Sequence, residues 1–385
     1  MESLEGNRDQ PCMRPQAIAP WLHAVWDSLD FHSFPNAMLL HGQSGMGKFE
    51  FAISLSKALL CESPDSQNRP CNQCEACHWF DSGNHPDFIA LTPETHRKYL
   101  PQGNFDIDSE PSKKTKSTRD DDGDATEKKE KKNISIEETR SAIESLSIGS
   151  HRGGNRVILI YPLEMLRPDS ANTLLKSLEE PPANTIFILL ADRLDRVLPT
   201  IRSRCRLVAA PRPERALGLA WIREQLLRIS QFRMSDSDIE SIYDEQGGAP
   251  YAVLESLIAR HNKDEKDELS ISIQAARYLL ESLSQGYRMS WLDAAEKIQK
   301  ARFAVLLATM QRWVSDLQTV TQQAQPRYYP NHATTLSKLA QQARPLKLFK
   351  FWKSLIQMRR NENHPLAIRI QLESLLSQYQ QVFED

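Results

Sequence analysis

A glycine-rich stretch, Gly42-Gln43-Ser44-Gly45-Met46-Gly47-Lys48, separates a short apolar run, Ala37-Met38-Leu39-Leu40, from a helical stretch running from about Lys48 to Leu60. The spacing G-x-x-x-x-G-K between a strand and a helix is the context in which a backbone loop cradles phosphate. Glycines let N–H groups converge on phosphate oxygens, and the helix N-terminus adds its positive dipole end. Phe88-Ile89-Ala90-Leu91, Val157-Ile158-Leu159-Ile160 and Ile186-Phe187-Ile188-Leu189-Leu190 are further apolar runs. They show little polar alternation, as do strands covered on both faces of a parallel α/β sheet. The expected fold is therefore α/β around a phosphate loop.

The loop departs from a working one. The residue after Lys48 should be Ser or Thr, whose hydroxyl holds Mg²⁺; here it is Phe49. The run Val157–Ile160 should end in an acidic pair that holds Mg²⁺ and orients water; it ends in Tyr161-Pro162. Glu164 lies four residues past that run and reads as a helix-side surface residue. Phosphoryl transfer depends on positioning and on charge neutralised by the metal. Turnover is expected to be very poor. Gly42, Gly45, Gly47 and Lys48 are expected to form a vestigial site kept for backbone geometry, with passive binding of ATP or ADP left open by the retained lysine.

Four of the six cysteines form Cys61-x9-Cys71-x2-Cys74-x2-Cys77. Such spacing suits a closed tetrahedron of zinc–thiolate bonds, about 2.3 Å each, with no open position for chemistry. It also argues for a reducing compartment rather than a disulfide framework. A structural zinc held by Cys61, Cys71, Cys74 and Cys77 is expected. His78 and His85 are near but surplus to four sulfurs.

Composition narrows the remaining classes. A length of 385 residues, 40% of them apolar, exceeds one ordinary core. The net charge of −2 does not suit a chain whose main task is to wrap nucleic acid. No run long enough to span a bilayer occurs, and MESLEGNRDQP has no apolar centre for a secretory signal. Asp106 to Lys132 holds nine acidic and eight basic residues. It is expected to be a disordered surface loop within an insertion at about 101–133. Beyond Pro211-Arg212-Pro213 the strands are expected to stop. Ala216, Leu219, Ala220, Ile222 and Leu226 fall at helical spacing. Phe303, Leu306, Leu307, Met310, Trp313, Val314 and Leu317 form one apolar stripe, and Ile368, Leu372, Leu375, Leu376 and Tyr379 another. Arg344 to Lys353 (RPLKLFKFWK) interleaves basic and aromatic residues. It suits either a phosphate backbone or a helix whose lysines snorkel over core Leu and Phe.

Two segments carry a resemblance. Ser170-Ala171-Asn172-Thr173-Leu174-Leu175-Lys176-Ser177-Leu178-Glu179-Glu180-Pro181-Pro182 reads as a helix stopped by prolines. Thr200-Ile201-Arg202-Ser203-Arg204-Cys205-Arg206 carries Ser-Arg-Cys. With the four-cysteine module, they resemble the bacterial DNA polymerase III clamp-loader subunits of the AAA+ family, over roughly residues 20–260. The resemblance implies an AAA+ P-loop-like domain at 1–211 with a four-cysteine zinc module at 61–77. It also implies a small helical lid at 212–262 and an all-helical collar at 263–385. Motor subunits of that family keep a Thr after the lysine, an Asp-Glu pair and a sensor-2 arginine. This chain has Phe49, Tyr161-Pro162 and an arginine-free Gly247-Gly248-Ala249-Pro250-Tyr251. It is thus similar to a non-motor member, which completes its neighbour's site. Arg204 is then implied to be an arginine finger acting in trans. Implied partners are the gamma/tau and delta subunits and, through the assembly, a sliding clamp and primed DNA, in the cytoplasm. The alternatives are an active AAA+ motor subunit with unusual metal contacts, or a zinc-bearing interaction protein unrelated to replication.

Overall fold

The structure is a computed structural model that describes residues 18–31, 33–64, 69–93, 100–101, 136–145, 150–151, 153–166, 168–229, 234–262, 267–360 and 368–384. The chain divides into two compact units, Met1–Arg212 and Pro213–Asp385. The charged insertion expected at about 101–133 lies outside the described residues from 102 onward.

Among the described residues, the first unit is built on a parallel sheet of five strands in the order β2-β3-β4-β1-β5. In chain order its elements are α1 (His23–Asp27), β1 (Ala37–His41), α2 (Lys48–Leu60), α3 (Glu75–Asp81) and β2 (Phe88–Leu91). There follow α4 (Ile136–Ser145), β3 (Arg156–Ile160), α5 (Pro168–Glu179), β4 (Thr185–Ala191), α6 (Pro199–Arg202) and β5 (Arg206–Ala209). The four apolar runs are β1 to β4. Every residue of β3 and β4 is buried, because helices cover both faces. Leu39, Ile158, Ile160, Phe187 and Leu189 share one core with Ala171, Leu174 and Leu178 of α5. Registers such as Leu39 with Leu189 and Ile158 with Phe187 stack these side chains in layers.

The fifth strand is not among the runs singled out by sequence, since its apolar stretch, Leu207-Val208-Ala209-Ala210, is short and half alanine. Arg206, Leu207 and Ala209 are exposed on the sheet edge beside β1. A charged side chain on an edge strand also discourages pairing with another chain.

Strand order sets the position of the site. β1 lies between β4 and β5, so the loops that leave the carboxyl ends of β1, β3 and β4 sit side by side. In open α/β sheets that edge is where ligands bind.

The described residues of the second unit form helices joined by loops, with no strand among them: α7 (Arg215–Arg228), α8 (Asp236–Glu245), α9 (Pro250–Asn262), α10 (Glu268–Leu283), α11 (Trp291–Ile298), α12 (Phe303–Thr321), α13 (Ala333–Gln342), α14 (Pro345–Arg360) and α15 (Ile368–Gln380). The α12 stripe from Phe303 to Leu317 is buried as expected. Its centre is Trp313, whose indole N–H donates to the Tyr379 hydroxyl at 2.9 Å. That hydroxyl donates in turn to the Leu283 carbonyl at 2.9 Å, so one chain of bonds joins α12, α15 and α10. Ile368 departs from its expected stripe and is exposed at the first turn of α15. Ala216 and Ala220 are exposed on α7, while Leu219, Ile222 and Leu226 are buried. On α14, Leu348 and Phe351 face the core. Leu346 and Phe349 are exposed, and Lys353 Nζ lies 4.8 Å from the Phe349 ring centre. No helix among the described residues is long and apolar enough to cross a membrane.

Candidate functional site

The loop between β1 and α2 has the backbone that its glycines require. Gly47, the N-cap of α2, lies in the left-handed region at φ 81°, where a Cβ would be strained. A Cβ at Gly42 would stand 3.1 Å from the Ala210 carbonyl oxygen. The phosphate-loop path is therefore present.

Its lysine is committed elsewhere. Lys48 is 3% exposed. Its ammonium donates to the carbonyl oxygens of Gly42, at 2.9 Å, and Gln43, at 2.8 Å. It pairs with Asp192 Oδ1 at 2.6 Å. Two of the three donors of the ammonium thus go to carbonyls of its own loop, and its charge is paired with a carboxylate. The charge that would meet outer phosphates is folded back onto its own loop.

The two metal-contact departures meet in space. The rings of Phe49 and Tyr161 pack with centroids 5.4 Å apart. The Tyr161 hydroxyl donates to Asp192 Oδ2 at 3.3 Å. Burial raises the Tyr161 phenol well above its ordinary range, so it stays a neutral donor. Two aromatic rings thus touch at the two positions where a hydroxyl and an acidic pair would hold Mg²⁺.

Glu164 differs from its expected surface position. It is half-buried, and its Oε1 accepts the backbone N–H groups of Asp192, at 3.0 Å, and Arg193, at 3.1 Å. Burial, and then the nearby charge of Asp192, push its carboxyl above the ordinary range. Glu164 fixes the loop after β4 and so presents Asp192 to Lys48. Sequence reading missed Asp192, which follows an apolar strand as any loop residue would.

The cysteine module hangs from α2. Cys61 caps the C-terminus of that helix, Cys74 caps the N-terminus of α3, and Cys77 lies in the first turn of α3. Lys57 of α2 pairs with Asp81 of α3 at 2.7 Å and donates to Asn72 Oδ1 at 2.6 Å. The Sγ atoms of Cys61, Cys71, Cys74 and Cys77 all lie within 4.8 Å of one another, and those of Cys61 and Cys74 are 3.9 Å apart. A tetrahedron of bonds of about 2.3 Å has sulfurs about 3.8 Å apart, so the cage fits zinc. Backbone N–H groups of Cys71 and Cys74 point at the sulfurs of Cys61 and Cys71, both at 3.4 Å. N–H groups of Gln73 and Cys74 bring the Cys71 thiol down to about 6, whereas burial pushes Cys61 and Cys77 up. His85 stands apart, its ring beside Trp79 and its Nδ1 accepting the Asp87 N–H at 3.1 Å.

The two segments that carry the resemblance are in contact. Arg204 follows α6 and is one-third exposed. Its Nη1 donates to the Thr200 carbonyl at 2.8 Å and to Ser203 Oγ at 3.3 Å, and its Nη2 pairs with Glu179 at the end of α5. Burial pushes the adjacent Cys205 thiol up to about 11, and Cys205 packs against the core of the first unit. In the second unit Tyr251, within the glycine-led helix start, packs on Trp221 with centroids 4.6 Å apart.

The family model described as "DNA polymerase III, delta subunit" matches residues 22–214. A protein of Pseudomonas aeruginosa named DNA polymerase III subunit delta' is 31% identical over 210 residues, 54% of this chain and 53% of its own. A protein of the same name from Yersinia pestis is 29% identical over 284 residues, 73% of each chain. One from Escherichia coli is 30% identical over 213 residues, 54% of this chain and 53% of its own. The first and third of these matches thus span about half the length of the relative.

Proposed function

The chain belongs to the family described as DNA polymerase III, delta subunit, and from that premise we propose that it serves as a non-catalytic subunit of a clamp loader. It takes the place that its delta-prime relatives hold. It joins gamma/tau and delta subunits in a ring of AAA+ domains in the cytoplasm, and the assembly places a sliding clamp on primed DNA. The helices at 212–262 act as a lid and those at 263–385 as an oligomerisation collar.

The observation that carries the non-catalytic part is the ion pair of Lys48 with Asp192 of the loop after β4. The lysine would have to leave a carboxylate partner and two carbonyls before meeting a phosphate. The Phe49 and Tyr161 rings offer no oxygen ligand set for Mg²⁺. Both features favour a loop retained as scaffold over an active motor subunit.

Arg204 supplies the chemistry. A guanidinium is always charged and donates through a rigid fork, which suits a transferring γ-phosphoryl group on a neighbour's ATP. Such a finger contributes about 10³–10⁵ in rate. Its partial exposure and its place after α6 support this role. Cys61, Cys71, Cys74 and Cys77 would hold a structural zinc. That ion would cross-link the end of α2 to the start of α3 and take no part in turnover.

The full-length chain, purified alone and given Mg²⁺ and ATP, is expected to hydrolyse none above background. Pulled from cells with its native partners, it is expected to bring an ATPase subunit of the same family. Brisk Mg²⁺-dependent hydrolysis by the chain alone would overturn the reading.

A further inference from the structure

Arg204 does not stand free. Its guanidinium is held on one edge by the Thr200 carbonyl and Ser203 Oγ, and on the other by the Glu179 carboxylate. Glu179 is the last residue of α5, and Pro181-Pro182 stops the helix just beyond it. The contact joins two segments that are otherwise separate in the chain, at a surface where the Glu179 side chain is 49% and that of Arg204 33% exposed. A pair this exposed contributes little to folding, so stability alone does not explain it.

We propose that Glu179 is a positioning residue for Arg204. It holds the guanidinium against its own subunit until the terminal phosphate of a neighbouring subunit's ATP competes for it. This rests on the arginine-finger reading above. Carboxylate and phosphate bind the same guanidinium fork, so one can replace the other without new geometry. An exposed carboxylate pair is weak, and a terminal phosphate carries more negative charge, so exchange favours the phosphate once it is in reach. Glu179 thereby keeps an unengaged Arg204 from binding other anions, and it sets how readily the finger answers to bound ATP.

The test uses the complete native assembly containing the full-length chain. ATP turnover is measured against ATP concentration for wild type, Glu179→Gln, Arg204→Ala and the double variant. Glu179→Gln should lower the ATP concentration for half-maximal turnover by about two- to fivefold, with the maximal rate little changed. That advantage should shrink as salt is raised from about 0.05 M to about 0.5 M, because exposed charges are screened. The double variant should match Arg204→Ala alone. A merely structural carboxylate would alter the maximal rate or the melting temperature and would leave the half-maximal concentration and its salt dependence unchanged. Glu179→Gln tracing the wild-type curve at every ATP concentration, while Arg204→Ala slows turnover, would sink this inference and leave the finger standing. Arg204→Ala without effect would remove both.

Discussion

Lys48 and Asp192 form a pair in which one partner is almost wholly buried and the other is one-fifth exposed. Removing one member of a buried pair leaves the other charge without its partner. Lys48→Ala should therefore destabilise the chain by about 2–3 kcal/mol in urea unfolding, toward the lower end of such losses because Asp192 reaches water. It should leave the turnover of the assembly unchanged. Reduced turnover at full stability would instead mean that the lysine serves a nucleotide. Glu164 carries the opposite kind of charge problem. Its folded-state carboxyl lies above its unfolded value, through burial first and the charge of Asp192 after it. The stability linked to it is present at low pH and is lost as pH rises through the folded value. Glu164→Gln keeps an acceptor for the N–H groups of Asp192 and Arg193 but carries no charge. Melting curves from about pH 4 to about pH 8 should show the variant gaining on wild type toward neutral pH and converging with it in acid. A constant difference across that range would show that the charge of Glu164 is not what matters.

At the scale of elements, the cysteine module is a small clamp between α2 and α3. Its four sulfurs sit close enough to share one ion, and the Lys57 contacts to Asp81 and Asn72 are the protein's own reinforcement. Native protein should carry one zinc per chain by metal analysis. A strong chelator, or Cys74→Ser, should release it and lower the melting temperature. Zinc retention should weaken as pH falls, because protons compete for thiolates. Native protein free of zinc would contradict the assignment. The same scale shows what the sequence made legible. β1 to β4 are largely covered on both faces, and continuous apolar runs announced them. α12 presents a full apolar stripe because a whole face of it is core. β5 was passed over because its apolar stretch, Leu207 to Ala210, is short, half alanine and set between arginines and a proline, as suits an exposed edge strand. Glu164 was read as a surface residue and Asp192 was missed because their roles depend on which loops the strand order brings together, which local pattern does not encode. The glycines and Lys48 were found by motif. That the lysine turns inward follows only from the position of Asp192 after β4.

For the whole molecule, the family match at 22–214 covers nearly all of the described part of the first unit, which ends at Arg212. The second unit is recognisable mainly as helices around Trp313 and Tyr379. A helical core accepts many sequences of suitable volume, so its pattern reveals an architecture and no partner. The proposed division of labour is chemical: a phosphate loop filled by its own lysine in one place, and a partly exposed arginine in another. The direct measurement is ATP turnover by the complete assembly carrying Arg204→Ala, with assembly itself checked by gel filtration. Intact assembly with turnover lowered by about tenfold or more is the predicted result, a threshold set below the roughly 10³–10⁵ that an arginine finger contributes. An intact assembly that turns over ATP at the wild-type rate would contradict it.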